Sequence, residues 1–171
     1  MKKVAVFGKP GSGKSTLSKG LSSVTGIPLY SLDSIVYKAN GEKVDRAMYD
    51  SAHGEILSSD SWIIDGLGPI ASFYERLDAS DTVIYIDLPY AVSYWLVTKR
   101  LLKSVFVKPE GWPDGSSMLK GTLASYKMLK LSPTFWNDDF LQKLESLSTD
   151  KTLHVIRSVS ELNCFIGRCG R

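Results

Sequence analysis

The run Gly8-Lys9-Pro10-Gly11-Ser12-Gly13-Lys14-Ser15 constrains this chain more than any other stretch. It follows a short apolar run at residues 4–7 and precedes Leu17, Leu21 and Val24, which recur at helical spacing. Glycine, four residues, then glycine-lysine-serine between a strand and a helix is the spacing of a phosphate-binding loop. The glycines let successive backbone N–H groups turn inward on an anion, and the helix N-terminus adds its positive end. Lys14 brings a point charge to the outer phosphates of a nucleotide, and the Ser15 hydroxyl is a magnesium ligand. With Thr16 in the first helical turn, residues 8–16 are the expected ATP-binding run.

Further apolar runs at residues 29–32, 62–64, 83–86 and 153–156 alternate with segments of helical period, the pattern of a parallel sheet with crossover helices and so of an α/β fold. Met48, Ala52 and Ile56 mark one such helix by their four-residue spacing. Pro89 suits the first turn of another, and Ser158 with Glu161 forms a capping box for the last. In open α/β sheets ligands lie at the carboxyl ends of strands, which directs attention to three aspartates. Asp65 follows Trp62-Ile63-Ile64 and precedes Gly66, whereas Asp87 follows Val83-Ile84-Tyr85-Ile86. Either carboxylate can hold magnesium beside Ser15, and Asp65 is favoured. Asp33 follows the second apolar run on the acceptor side, the place for a general base or an orienting group; its other reading is a turn or N-cap residue.

Composition narrows the class. A chain of 171 residues, 43% hydrophobic and 23% charged, is expected to fold as one globular domain over residues 1–171. The apolar run behind Lys2 and Lys3 is shorter than the roughly 7–15 residues of a signal peptide, and no stretch approaches the roughly 20 of a membrane helix. Cys164 and Cys169 are too few for a zinc site or a disulfide framework. A reduced, cytoplasmic protein without a membrane partner is expected. The net charge is only +3, but Lys99, Arg100, Lys103, Lys108, Lys120, Lys127 and Lys130 face just Glu110 and Asp114 between residues 96 and 130. That basic block attracts anions, whether nucleotide phosphates or nucleic acid, unless it is a solvated helical face. Pro109, Gly111, Pro113 and Gly115 give residues 107–117 the strongest loop signal, suggesting a lid.

Taken in order, Gly8 to Ser15, Tyr30-Ser31-Leu32-Asp33, Trp62-Ile63-Ile64-Asp65-Gly66, Arg76-Leu77 with Ala79-Ser80-Asp81, and Ile86-Asp87-Leu88-Pro89 resemble the adenylate-kinase-related P-loop proteins described as DNA topology modulation proteins. The resemblance spans most of the chain. It implies a P-loop NTPase three-layer α/β/α fold, a five-stranded parallel sheet in the order 2-3-1-4-5, a helical lid at about residues 100–130, and use of ATP and Mg2+. It also implies that Asp33 and Arg76 stand on the substrate side, that Arg100 is the second arginine of an arginine-x-x-x-arginine lid motif, and that Arg157 touches adenine. Leu96 stands where the first lid arginine belongs, and Tyr90 where many relatives carry arginine. Lys99 and Lys103 compensate only as point charges. Adenylate kinases hold the AMP phosphate with arginines after the second strand and after the third strand's aspartate-glycine. Ser34-Ile35-Val36-Tyr37 and Leu67-Gly68-Pro69 supply none, which argues against adenylate kinase activity.

The reaction expected is magnesium- and ATP-dependent phosphoryl transfer to a small hydroxyl or nucleotide acceptor. Lys14 and Arg100 would stabilise the moving group, Ser15 and Asp65 hold the metal, and Asp33 orient the acceptor. The alternative is a nucleotide-gated regulatory or DNA-topology-related binding protein with weak ATPase, its basic segment ordered against nucleic acid. Arg76 has a second reading, a surface pair with Glu75 or Asp78. His53 is expected on a helix without partners, His154 packed in a strand, and Trp112, Tyr126, Phe135 and Trp136 as packing residues more than base-stacking ones.

Overall fold

The computed structural model describes residues 1–36, 44–104 and 118–169, apart from the side chains of residues 33, 34, 118 and 120. Five strands, β1 (Lys3–Gly8), β2 (Leu29–Ser31), β3 (Trp62–Asp65), β4 (Thr82–Ile86) and β5 (Thr152–Ile156), form one sheet in the order β2-β3-β1-β4-β5. Every pairing is parallel, with Val6 opposite Asp65 and Gly8 opposite Ile86. This register brings Gly8, Asp65 and the residue after Ile86 to one edge of the three central strands. Chain order reverses direction across β1 there, so that edge is the topological switch point where α/β sheets bind ligands.

The strands are short continuous apolar runs because both faces of the sheet are covered. Side chains alternate between the faces. Ala5, Phe7, Trp62, Ile64, Val83 and Tyr85 pack on one side with Phe73, Leu77, Trp136 and Leu144. Val4, Val6, Ile63, Ile84, Ile86 and Ile156 pack on the other with Leu17, Leu21 and Leu162. The covering helices are α1 (Lys14–Thr25), α3 (Arg46–Ser58), α4 (Ile70–Ala79), α5 (Tyr90–Ser104), α6 (Met118–Leu131), α7 (Asp138–Leu147) and α8 (Val159–Cys169); a short α2 (Leu32–Val36) follows β2 directly. The architecture is the three-layer α/β/α arrangement expected, with the expected strand order.

Several local expectations need correction. The second strand ends at Ser31, since Leu32 turns into α2 and is itself buried. In α1, Leu17 and Leu21 are buried but Val24 is exposed. In α3, Met48 is exposed and the inward stripe is Tyr49 and His53, one position further on. The apolar spacing of Met48, Ala52 and Ile56 misleads because a tyrosine and a histidine on the adjacent face are buried against polar groups, described below. At α8 half of the capping box forms: Glu161 N donates to Ser158 Oγ at 3.1 Å, while the Glu161 carboxylate reaches past the cap to accept from Arg157 N at 2.8 Å. Asn137 caps α7 by accepting from Phe140 N at 2.9 Å. Both cysteines are free. No helix of the described residues is long and apolar enough to cross a membrane. The expected lid loop at 107–117 lies outside the described residues.

Candidate functional site

The glycine-rich run 8–15 leaves β1 at the sheet's carboxyl edge and turns into α1. Gly8 (φ 153°) passes so close to β4 that a Cβ there would sit 2.3 Å from the Ile86 carbonyl oxygen. Gly11 (φ 70°) lies against α5, where a Cβ would meet the Ser93 carbonyl oxygen at 2.5 Å. Only glycine tolerates this approach and this backbone. No side chain caps α1, so its first N–H groups face the loop's concavity, the arrangement that binds anions. Lys14 Nζ donates to the Lys9 carbonyl at 3.0 Å and lies on the wall of a cavity of about 940 Å³. Of residues 8–16, all but Lys9 line that cavity.

Ser15 Oγ donates to Asp65 Oδ2 at 2.8 Å, with Asp65 buried at the end of β3. Hydroxyl and carboxylate are both hard oxygen donors, and both line the cavity, so this pair fits magnesium held partly by phosphates. Among the described residues no three His, Cys, Asp or Glu groups gather as a metal cluster. Asp87 is engaged elsewhere. Lys9 Nζ donates to Asp87 Oδ1 at 2.7 Å and lies 4.2 Å from the centroid of the Tyr90 ring. The two aspartates that the sequence left as alternatives therefore meet different partners, Ser15 for Asp65 and Lys9 for Asp87.

The basic block contributes Lys99, Arg100 and Lys103 to the same cavity. Arg100 Nη2 donates to Ser125 Oγ at 3.0 Å, fastening α5 to α6 beside the Thr98–Tyr126 hydroxyl contact at 2.6 Å. The Tyr94 and Tyr126 rings stack at 5.7 Å, so Tyr126 packs between helices as expected. Leu96, in the position where the family pattern has arginine, lines the cavity too.

On the other side of Asp65, Arg76 is 1% exposed, which excludes the surface pairing with Glu75 or Asp78. Its Nη2 donates to the carbonyls of Gly66 at 3.1 Å and Leu67 at 2.6 Å. Burial pulls the guanidinium down to about 10, so it stays charged at neutral pH. Arg76 thus pins the loop after Asp65, whose Gly66, Leu67 and Gly68 line the cavity. His53 is buried beneath it, stacked on Tyr49 at 5.6 Å with Nδ1 3.6 Å from Glu75 Oε2. Burial, then the Arg76 charge, hold the imidazole below its ordinary value. The sequence reading of His53 as partnerless is corrected by this cluster. Asp33 falls in α2, and its side chain lies outside the described residues.

A second cavity of about 310 Å³ opens on the far side of the loop, lined by Lys9, Tyr85, Asp87, Tyr90, Trp136 and Arg157 among others. Arg157, expected at adenine, lies here, whereas α8 presents Val159, Leu162 and Asn163 to the large cavity. Trp136 borders both spaces while stacking on Phe7 and Tyr85. His154 packs against Phe165 at 4.8 Å.

The sequence missed Ser125, Asn163 and the Lys9–Asp87 pair. For the pair a signal existed: in the order 2-3-1-4-5, β4 lies beside β1, so the residue after Ile86 must fall next to the residue after Gly8.

The sequence matches no protein-family model and no curated protein. Solved structures do share its fold. Shikimate kinase from Acinetobacter baumannii in complex with shikimate superposes with a TM-score of 0.55 at 14% identity, over 98% of this chain and 90% of that one. Shikimate kinase from Bacteroides thetaiotaomicron gives 0.55 at 14% identity, over 96% of this chain and 94% of that one. The chain shares the fold of these two kinases.

Proposed function

We propose that the protein is an ATP- and magnesium-dependent kinase that phosphorylates a hydroxyl of a small-molecule or nucleotide acceptor. The observation that carries this reading is the Ser15–Asp65 contact of 2.8 Å inside a cavity that also receives Lys14 and Arg100. The resemblance to adenylate-kinase-related proteins and the fold of the shikimate kinases support it. The cavity, about 940 Å³, is at the upper end of ligand pockets and has room for an acceptor beside a nucleotide.

The loop's N–H groups hold the β-phosphate, and Lys14 leaves the Lys9 carbonyl to meet the outer phosphates. Ser15 and Asp65 hold the metal, which when bound neutralises phosphate charge. The acceptor oxygen forms a bond to the γ-phosphorus as the bridging β–γ bond breaks and ADP departs. Asp33 orients that hydroxyl and takes its proton. Arg100 carries a fork of donors for the charge on the transferring group. Arg76 serves the acceptor side indirectly, by fixing the Gly66 and Leu67 carbonyls. Lys99, Arg100 and Lys103 line the cavity, which favours phosphates within over a duplex outside.

The test is ADP release from ATP and magnesium as nucleosides, nucleotides, sugars and hydroxy acids are added singly. One acceptor is expected to raise release far above background, and Asp33→Asn to remove that gain. Tight ATP binding with no stimulating acceptor, together with salt-sensitive DNA binding, would replace this reading with the nucleotide-gated binder.

A further inference from the structure

Lys9 is the one member of the run 8–16 whose side chain leaves the nucleotide cavity, yet it is not a surface lysine. Its side chain is 3% exposed, and it ends on Asp87 at 2.7 Å and over the Tyr90 ring at 4.2 Å. A buried ammonium persists only when a close opposite charge offsets its lost hydration. The pair joins two structures that must keep register. Lys9 belongs to the loop that leaves β1, and Asp87 follows β4, with Asp87 N itself bonded to the Ile156 carbonyl of β5 at 2.8 Å. The backbone of Lys9 faces the other way. Its carbonyl accepts both Lys14 Nζ at 3.0 Å and Ser12 N at 3.3 Å. One residue therefore ties the loop to the sheet through its side chain and holds the resting position of Lys14 through its carbonyl.

We infer that Lys9 and Asp87 are a positioning pair that presets the phosphate-binding loop and the starting point of Lys14. The inference rests on the nucleotide-binding reading of the loop. Neither residue lines the large cavity. The pair acts by keeping the loop in the form that receives phosphates, so its loss lowers the fraction of competent loop and weakens apparent affinity by that fraction. It also gives Asp87 a role distinct from that of Asp65. A metal ligand and a loop anchor predict different magnesium behaviour, because Lys9 is not a metal ligand and its removal mimics Asp87→Asn only if the anchor is the function.

The experiment measures ADP dissociation constants and the magnesium concentration for half-maximal ATP turnover. The proteins are the wild type, Lys9→Met, Asp87→Asn and the double variant Lys9→Met/Asp87→Asn, each kept well below its melting temperature. Each single variant is expected to weaken ADP at least about tenfold, the usual scale for losing a supporting contact to a functional group. The double variant is expected to be no weaker than the worse single one, with the magnesium midpoint unchanged throughout. Asp87→Asn leaves an unpaired buried ammonium and is the more disruptive to folding. Lys9→Met leaves Asp87 32% exposed and hydrated, so it decides the matter if Asp87→Asn does not fold. ADP binding within twofold of wild type in Lys9→Met, with only a lowered melting temperature, would overturn the inference and leave the kinase reading standing. A shifted magnesium midpoint in Asp87→Asn alone would overturn it in favour of metal binding. A wild type that does not bind ADP would sink the nucleotide reading itself, and the positioning role with it.

Discussion

The loop side of the cavity and its basic side are built from different materials. On the loop side, geometry is set by backbone and short contacts: glycines against the Ile86 and Ser93 carbonyls, Ser15 on Asp65 at 2.8 Å, and Lys9 on Asp87 at 2.7 Å. These parts hang from the central strands, whose side chains are almost wholly buried. On the basic side, α5 and α6 present long side chains, and the described fastenings are Arg100 to Ser125, Thr98 to Tyr126 and a tyrosine stack. A group held by backbone N–H donors needs no reorganisation when charge moves, whereas a lysine must give up rotamer freedom to help. The loop side thus suits an invariant phosphate, and the basic side a charge that changes as a group is transferred.

That contrast is open to attack first at Lys14. Lys14→Ala is expected to cut ATP turnover at least about a hundredfold with the melting temperature little changed, a loss typical of an electrostatic group at a transferring centre; near-normal turnover in a kinetic assay would remove the loop from catalysis. Gly11→Val is next. The added side chain meets the Ser93 carbonyl and Val97 at a positive φ, so ADP affinity is expected to fall by at least about tenfold and stability by about 1–3 kcal/mol, read by calorimetry and thermal melts. A variant that bound ADP normally would show that the loop is as adaptable as the basic side. On that basic side, Arg100→Lys is expected to lose most of what Arg100→Ala loses, about tenfold in kcat/KM, since a point charge does not reproduce the fork. Lys99→Ala is expected to cost only about two- to threefold, and equal losses at Lys99 and Arg100 would mean that charge alone is at work.

The smallest effect is a pH dependence at the His53–Arg76 cluster. His53 titrates below its ordinary value because it is buried and faces Arg76, although Glu75 and Asp50 pull the other way. The unfolded chain, with a histidine near 6.5, takes up the proton first. The stability His53 contributes is therefore complete above about pH 6.5 and is lost as the pH falls through the lowered folded value. Melting temperature against pH should be flatter in His53→Gln than in the wild type, with His154 a shared background; parallel curves would show that His53 does not titrate in this way.

Much of the fold could be read from residues in sequence, because both-face burial writes itself as unbroken apolar runs and the loop motif fixes where β1 ends and α1 begins. The strand order followed from the resemblance and agrees with the pairing observed. The course of the glycine-rich loop was legible because it is written in one contiguous run, and Asp65 because a strand end beside that loop is fixed by the sheet order. What stayed hidden depends on partners far away in sequence. The inward turn of Tyr49 and His53 requires Arg76 and Glu75, the engagement of Asp87 requires Lys9, and Arg157 meets those two only around a second cavity. Polar burial has no period, so no spacing rule announces it.

The most direct measurement of the central claim is ATP affinity by titration calorimetry with and without magnesium, in the wild type, Ser15→Ala and Asp65→Asn. Magnesium is expected to strengthen binding in the wild type, and each substitution to remove most of that gain while magnesium-free binding persists. Identical magnesium dependence in all three proteins, or no ATP binding at millimolar concentration, would contradict it.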